Sequence, residues 1–219
     1  MNAFFKPHVG SNYNEGIDGN HVLVLGASFY CDKIKCPYFA QCTNEDLKDS
    51  RPFDNLCPFY DNKALHDAPS SEGGEDGDAY DKFADRISKS LNLDYNRFWD
   101  SVAFTNYIQF FLPHWETKMK HCSDRDANAL IEVIKSLKPN IIFIWGCVIN
   151  RHILTKFSND IKVIEGTDAY IWNWSVDGKI ITVVNTYHPT YLGFDDNGLL
   201  EKYVRLAFSK TEPETTSNI

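Results

Sequence analysis

The distribution of apolar and polar residues along the chain predicts alternating strands and helices. Four continuous apolar runs have the length and the branched residues expected of strands that are buried on both faces of a parallel sheet. These runs lie at residues 21–28, 101–106, 140–146 and 179–189. Two shorter strands are predicted before the last of these runs, at residues 161–166 and 169–176.

Helices are predicted between the strands, because apolar residues recur there on one face. Phe83, Ile87 and Leu91 are spaced four residues apart and predict an amphipathic helix over Ala79–Leu91. Asp124 is the predicted capping residue of the next helix. The remaining helices are predicted at residues 124–137, 148–157 and 199–209. This alternation favours an α/β fold, a three-layer α/β/α sandwich around a central, mainly parallel four-stranded sheet.

Two stretches interrupt this regular pattern, and a third ends it. Residues 31–60 are rich in Cys, Pro and Asp without a sustained period, which predicts an irregular excursion from the fold. Residues 66–78 are acidic and rich in Gly and Ser, which predicts a mobile loop. Residues 210–219 form a polar tail. We therefore expect one domain over residues 1–209.

Composition narrows the classes of partner and the compartment. The formal net charge of -8 argues against the broad basic face of a non-specific DNA binder, so any nucleic-acid site must be local. No apolar run approaches the roughly 20 residues that span a bilayer, which predicts no membrane segment. The start of the chain lacks the pattern of a signal peptide, and we expect a cytoplasmic protein.

Several common nucleotide-binding and hydrolase motifs are missing from the sequence. No G-x-G-x-x-G follows the first strand, and the P-loop pattern G-x-x-x-x-G-K-[ST] does not occur. The nucleophile motif G-x-S-x-G is also missing. Dinucleotide-binding, P-loop and α/β-hydrolase interpretations therefore lose their main physical support.

Four of the six cysteines lie within 27 residues, spaced C-x4-C-x5-C-x14-C. The cytosol keeps thiols reduced, so these cysteines are either metal ligands or ordinary thiols that fill a small core. Four thiolates in one loop suit either a four-iron cluster (4Fe-4S) or tetrahedral zinc. The candidate ligands are Cys31, Cys36, Cys42 and Cys57. Cys122 and Cys147 stand apart as isolated thiols.

Three segments follow predicted strands and carry side chains suited to base recognition. They are LGASFYC at residues 25–31, TNYIQFFLP at 105–113 and TYHPTYL at 186–192. Carboxyl ends of parallel strands lie together, so we expect the three segments to converge. With IIFIWGCVINRHIL between the second and third, the pattern resembles the uracil-DNA glycosylase superfamily, most closely its iron-sulfur branch. The resemblance covers residues 21–209.

The resemblance implies roles for one amide and one imidazole. Asn106 matches the family's Asn that reads the uracil edge, since an amide can pair with both O4 and N3–H and reject cytosine. His188 matches the family's His, which donates to uracil O2 and stabilises the anion that forms as the glycosidic bond breaks. Tyr191 or Leu192 is the implied wedge in the base stack, and Phe53 the implied stacking aromatic. The implied substrate-binding residues are Gly26, Ala27, Ser28, Tyr30, Phe53, Pro189, Thr190, Tyr191 and Leu192.

The sequence departs from this family at two points. The family has an acid soon after the first strand, which orients water, whereas no carboxylate occurs here before Asp32. Asp32 or Asp54 can approach from the loop, or Ser28 and Tyr30 can hold the water by hydrogen bonds. In the iron-sulfur branch two cysteine ligands precede the first segment, whereas all four clustered cysteines follow it here.

Three hypotheses about function result from these observations. The first is a protein that binds a flipped nucleobase in DNA and hydrolyses the N-glycosidic bond of uracil. The second is a catalytically inactive module that binds a nucleobase or nucleic acid with the same pocket. The third is a metal-stabilised interaction protein. The missing acid favours the second over the first, and the presence of both Asn106 and His188 favours either over the third.

Overall fold

The computed structural model describes residues 5–30, 79–110, 112, 117–167, 170–191 and 198–209. Several sequence predictions lie outside these residues: the four clustered cysteines, the acidic loop 66–78 and the tail 210–219. Phe53 and Leu192, the implied stacking aromatic and one implied wedge residue, also lie outside them. So do Asp32 and Asp54, the two carboxylates considered as substitutes for the missing acid.

The described residues contain one sheet of seven strands, in the order β1-β3-β2-β4-β7-β6-β5. The strands are β1 His8–Val9, β2 Val22–Gly26, β3 Val102–Asn106, β4 Ile141–Trp145, β5 Ile161–Val163, β6 Ile171–Val176 and β7 Lys179–Thr186. The predicted four-stranded parallel sheet is its centre, because β3, β2, β4 and β7 are parallel neighbours. Antiparallel strands flank it on both sides.

Five α-helices occur among the described residues: α1 Ala79–Leu91, α2 Tyr95–Ser101, α3 Asp124–Leu137, α4 Cys147–Lys156 and α5 Leu199–Ser209. The bounds of α1 and α5 are those predicted, whereas α2 and β1 were not predicted. No helix in the described part of the chain is long and apolar enough to span a membrane.

The helices pack on both faces of the sheet, because alternate residues of each central strand point to opposite sides. On β2, Leu23 and Leu25 join a core cluster with residues of α3 and α4. Val22 and Val24 join a second cluster with residues of α1, α2 and α5. Residues on both faces are buried, which explains why the central strands have continuous apolar sequences. The chain therefore has an α/β fold.

The start of α3 corrects the predicted cap. The N-cap is Ser123, whose hydroxyl accepts from the backbone N–H of Asp126, and whose own backbone N–H donates to the Asp126 carboxylate at 2.8 Å. This reciprocal arrangement satisfies two backbone donors at once. Asp124, the predicted cap, is the first helical residue instead, and its carboxylate lies 2.7 Å from Lys156 Nζ.

Candidate functional site

An open cleft of about 550 Å³ lies at the carboxyl ends of the central parallel strands. Its described lining comes from four places: the segment after β2, the turn from β4 into α4, the segment after β7, and Thr117 between β3 and α3. The lining residues are Ala27, Tyr30, Thr117, Trp145, Gly146, Cys147, Val148, Ile149, His188, Thr190 and Tyr191. This volume falls within the range of small-molecule sites.

His188 is held in the cleft by a tight turn. Its carbonyl accepts from the backbone N–H of Tyr191 at 2.8 Å, and Pro189 occupies the second position of the turn, where its restricted φ fits. The Thr190 hydroxyl lies 2.7 Å from His188 Nδ1, and the Thr190 backbone N–H donates to the same nitrogen at 3.3 Å. The ring therefore has a defined position and orientation.

The same contacts determine which nitrogen of His188 carries the proton. Because Nδ1 accepts from a backbone N–H, the neutral ring carries its proton on Nε2. Burial lowers the pKa of His188 below its ordinary value, which favours the neutral form at neutral pH. No described residue accepts a hydrogen bond from Nε2. The cleft therefore contains a neutral imidazole whose Nε2–H is a hydrogen-bond donor, on a ring that the turn orients.

Tyr30 and Ser28, the two predicted water-holding residues, differ in their surroundings. The Tyr30 hydroxyl is 2.8 Å from Thr117 Oγ1, and both residues line the cleft. Burial raises the pKa of Tyr30 above its ordinary value, so the phenol is neutral. The Ser28 hydroxyl instead bonds to the backbone carbonyls of Phe29 and Phe110, at 2.8 and 2.9 Å. Ser28 is therefore engaged in holding the loop after β2 and is not part of the lining.

Asn106 lies at the end of β3, directly opposite Gly26 of β2. It is 3% exposed. A Cβ placed on Gly26 would be 2.3 Å from Asn106 Oδ1, so the amide oxygen rests directly against the glycine. Glycine is thus required at position 26 for this position of the amide, although Gly26 itself has an ordinary backbone conformation.

Asn106 ends β3 and His188 follows β7, and these two strands are not neighbours in the sheet. Three strand spacings, roughly 14 Å, lie between the ends of β3 and β7. The Phe104 and Trp145 ring centroids are 5.4 Å apart, and the His188 ring packs edge-on against Trp145 at 6.0 Å. The structure therefore brings the first and third predicted segments together in one cleft and does not bring Asn106 into its lining.

A buried hydrogen-bond network holds the backbone that follows Asn106. Gln109 Nε2 donates to the Asn106 carbonyl at 2.7 Å, and its backbone N–H donates to Asp126 Oδ1 at 2.8 Å. Both Gln109 and Asp126 are almost fully buried. Burial raises the pKa of Asp126 to about 6, although hydrogen bonds from Gln109 and Ser123 oppose this shift.

The turn from β4 into α4 contributes lining residues that the sequence analysis did not single out. Gly146 adopts a φ of +96°, a left-handed conformation that favours glycine and turns the chain directly into the helix. Trp145 is the last residue of β4, and Cys147 the first residue of α4. The sequence indicates this turn in one way: it comes at the end of the third buried strand, whose carboxyl end lies beside those of β2 and β7.

The two cysteines that stand apart from the cluster differ in exposure. Cys122 is buried, whereas Cys147 is exposed in the cleft. Within the described ranges, no group of three or more His, Cys, Asp or Glu side chains is arranged to hold a metal ion. The four clustered cysteines are not among those ranges, so the metal hypothesis stays a prediction.

The described lining is electrically neutral and partly aromatic. It contains no carboxylate, lysine or arginine, and its polar side-chain groups are hydroxyls, one thiol, the Trp145 indole N–H and the His188 imidazole. Such a surface suits a flat, uncharged group with hydrogen-bonding edges, and any charged part of the same ligand is expected to lie outside this lining. Comparison with models of known protein families gives no match for this chain, and comparison with curated proteins finds no similar sequence.

Proposed function

We propose that this chain binds a nucleobase of DNA in the cleft beside His188, on a fold of the uracil-DNA glycosylase type. The observation that carries the proposal is the His188 arrangement, a neutral ring whose Nδ1 is engaged by Thr190 and whose Nε2–H is left as a donor. A directed N–H donor matches a carbonyl on the edge of a base. The sandwich type is supported by the parallel centre of the sheet and by helices on both faces.

Asn106 has a different place in this proposal from His188. Its amide oxygen rests on Gly26, whose neighbour Ala27 lines the cleft, so Asn106 lies immediately behind the wall near β2. The Asn106 carboxamide carries both a donor and an acceptor, the two groups that the edge of a base can pair with. Asn106→Ala in the calorimetric titration described below tests its contribution to binding separately from that of His188.

The second candidate function is hydrolysis of the N-glycosidic bond of uracil. His188 favours it, because an N–H donor next to a departing base stabilises the negative charge that develops on the base. The described lining contains no carboxylate to orient water, which favours binding without hydrolysis. Both functions use the same cleft, and they differ in that hydrolysis needs a carboxylate to orient water.

Titration calorimetry with deoxyuridine monophosphate tests the binding proposal. We expect wild-type protein to bind, and His188→Ala to weaken binding roughly 10-fold, which corresponds to the loss of one hydrogen bond of about 1.4 kcal/mol. His188→Gln retains an N–H donor at this position and is expected to lose less affinity than His188→Ala. His21→Ala is the matched control, since His21 precedes β2 at the opposite end of the sheet.

The same proteins test hydrolysis when free uracil released from a uracil-containing oligonucleotide is measured by chromatography. Binding without release supports the binding function, whereas release that disappears in His188→Ala supports the glycosylase function. If deoxyuridine monophosphate does not bind, or binds equally well to His188→Ala and wild type, the proposed site is wrong.

A further inference from the structure

Three tyrosines lie beside the cleft, on the side of β7. Tyr191 is 58% exposed and lines the cleft, and Tyr187 is 36% exposed. Their ring centroids are 5.3 Å apart, and the Tyr170 centroid is 6.1 Å from that of Tyr187. We call Tyr170, Tyr187 and Tyr191 the tyrosine surface. It continues directly from the lining of the cleft onto the outside of the protein.

The innermost ring of the tyrosine surface is anchored to the core. Tyr170 stacks on the buried ring of Tyr203, at a centroid distance of 6.0 Å and an angle of 18°. The hydroxyl oxygens of Tyr170 and Tyr187 are 2.8 Å apart, within hydrogen-bond distance. Because this bond joins an exposed ring to an anchored one, Tyr187 loses little conformational entropy when a ligand contacts it.

We propose that the tyrosine surface stacks the bases next to the one held in the cleft, and that the preferred ligand is therefore single-stranded nucleic acid. Exposed aromatic faces are the usual platforms for unpaired bases, because every base has a flat face that stacks independently of sequence. In a duplex these neighbouring bases are stacked within the helix and cannot also cover tyrosine rings. This inference rests on the proposed function of the cleft.

The charge of the chain supports stacking as the main source of affinity. The net charge is -8, so phosphate contacts cannot dominate as they do in basic DNA-binding proteins. On α5, beneath the tyrosine surface, Lys202 Nζ lies 5.9 Å from the Tyr203 ring, while Arg205 pairs with Glu201 at 2.9 Å. We therefore expect binding of single strands to depend less on salt than phosphate-driven binding does.

Fluorescence anisotropy with a short labelled oligonucleotide that carries one central deoxyuridine tests the inference. The measured quantity is the affinity for the oligonucleotide relative to that for deoxyuridine monophosphate. Tyr187→Ala is expected to lower this ratio roughly 5- to 160-fold, the range for loss of one base–aromatic stack. Tyr187→Phe and Tyr187→Trp, which keep a planar ring, are expected to retain most of it.

Two further variants make the result specific. Tyr187→Leu keeps an apolar side chain without a planar face. A loss of oligonucleotide affinity in this variant would therefore show that a planar ring, rather than apolar contact in general, binds the bases. Ile180→Ala is the matched control, since Ile180 is 57% exposed and lies on β7, the strand that Tyr187 follows, near the opposite end. Thermal unfolding of each variant confirms that it is folded.

The outcomes separate this inference from the function of the cleft. If wild-type protein binds neither probe, the proposed function fails. If it binds the mononucleotide but the oligonucleotide no more tightly, or if Tyr187→Ala leaves the ratio unchanged, the inference about the tyrosine surface is overturned, and a protein partner becomes the alternative occupant. Tighter binding of a duplex than of the single strand also overturns it.

Discussion

Replacing Gly26 by alanine is expected to displace the Asn106 carboxamide. The added Cβ would lie 2.3 Å from Asn106 Oδ1, and 3.0 and 3.2 Å from two carbons of the Phe104 ring. An ordinary contact needs about 3.5 Å, so the amide must move by roughly 1 Å within a buried environment. Overpacking of this kind costs about 1–3 kcal/mol, which is the expected loss in the free energy of unfolding.

A double-mutant cycle identifies the amide as the cause. Asn106→Ala removes Oδ1 and leaves only the Phe104 contacts, so Gly26→Ala is expected to destabilise the Asn106→Ala protein less than it destabilises wild type. We expect a coupling energy of about 1–2 kcal/mol from urea unfolding monitored by circular dichroism.

The control for this cycle replaces a distant buried amide. Asn185 lies on β7, two strand spacings or roughly 10 Å from β2, so Gly26→Ala and Asn185→Ala are expected to be additive within about 0.5 kcal/mol. Additive effects of the changes at Gly26 and Asn106 would refute the contact and, with it, the position of the candidate base-reading amide.

Three further predictions concern single groups. Burial raises the pKa of Asp126 from its ordinary value of 3.8 to about 6 in the folded protein. As the pH rises from 3.8 to about 6, wild type should therefore lose roughly 3 kcal/mol in free energy of unfolding relative to Asp126→Asn. A difference between the two proteins in urea unfolding that stays constant over this pH range would contradict the prediction. Ser123→Ala should lower the free energy of unfolding by about 1–2 kcal/mol through loss of the α3 cap, and no change would contradict the cap. Because Cys147 lines the cleft, deoxyuridine monophosphate at ten times its dissociation constant should slow alkylation of Cys147 roughly 10-fold. Alkylation is followed by mass spectrometry, and Cys147→Ser identifies the signal. An unchanged rate of alkylation would mean that the ligand binds elsewhere.

The central strands and the outer helices were predictable because their signals are local. The apolar sequence of β4 is buried on both faces, and the four-residue spacing in α1 coincides with its contact with the sheet. The seven-residue helix α2 was not predictable in this way. Its buried Phe98 and Trp99 pack against Phe83 of α1, a tertiary contact that a short sequence without helical periodicity does not reveal.

The candidate site was predictable only in part, for a related reason. His188 follows a predicted strand, and the proline after it occupies the second position of the turn that places His188 in the cleft. Asn106 is not in the lining of that cleft, and contacts such as that between Phe104 and Trp145, which come from different strands, form only in the folded protein. Strand order predicts which ends are neighbours, whereas side-chain packing decides which of them share a cavity.

The outermost strands of the sheet are its shortest in the described part of the chain. β1 has two residues and β5 has three, whereas the other strands have five to eight. An edge strand offers its unpaired backbone groups to any extended peptide, and short edges limit the length of such pairing. The described sheet therefore gives a second chain little room to add a strand, which protects a protein with a highly apolar centre from aggregation.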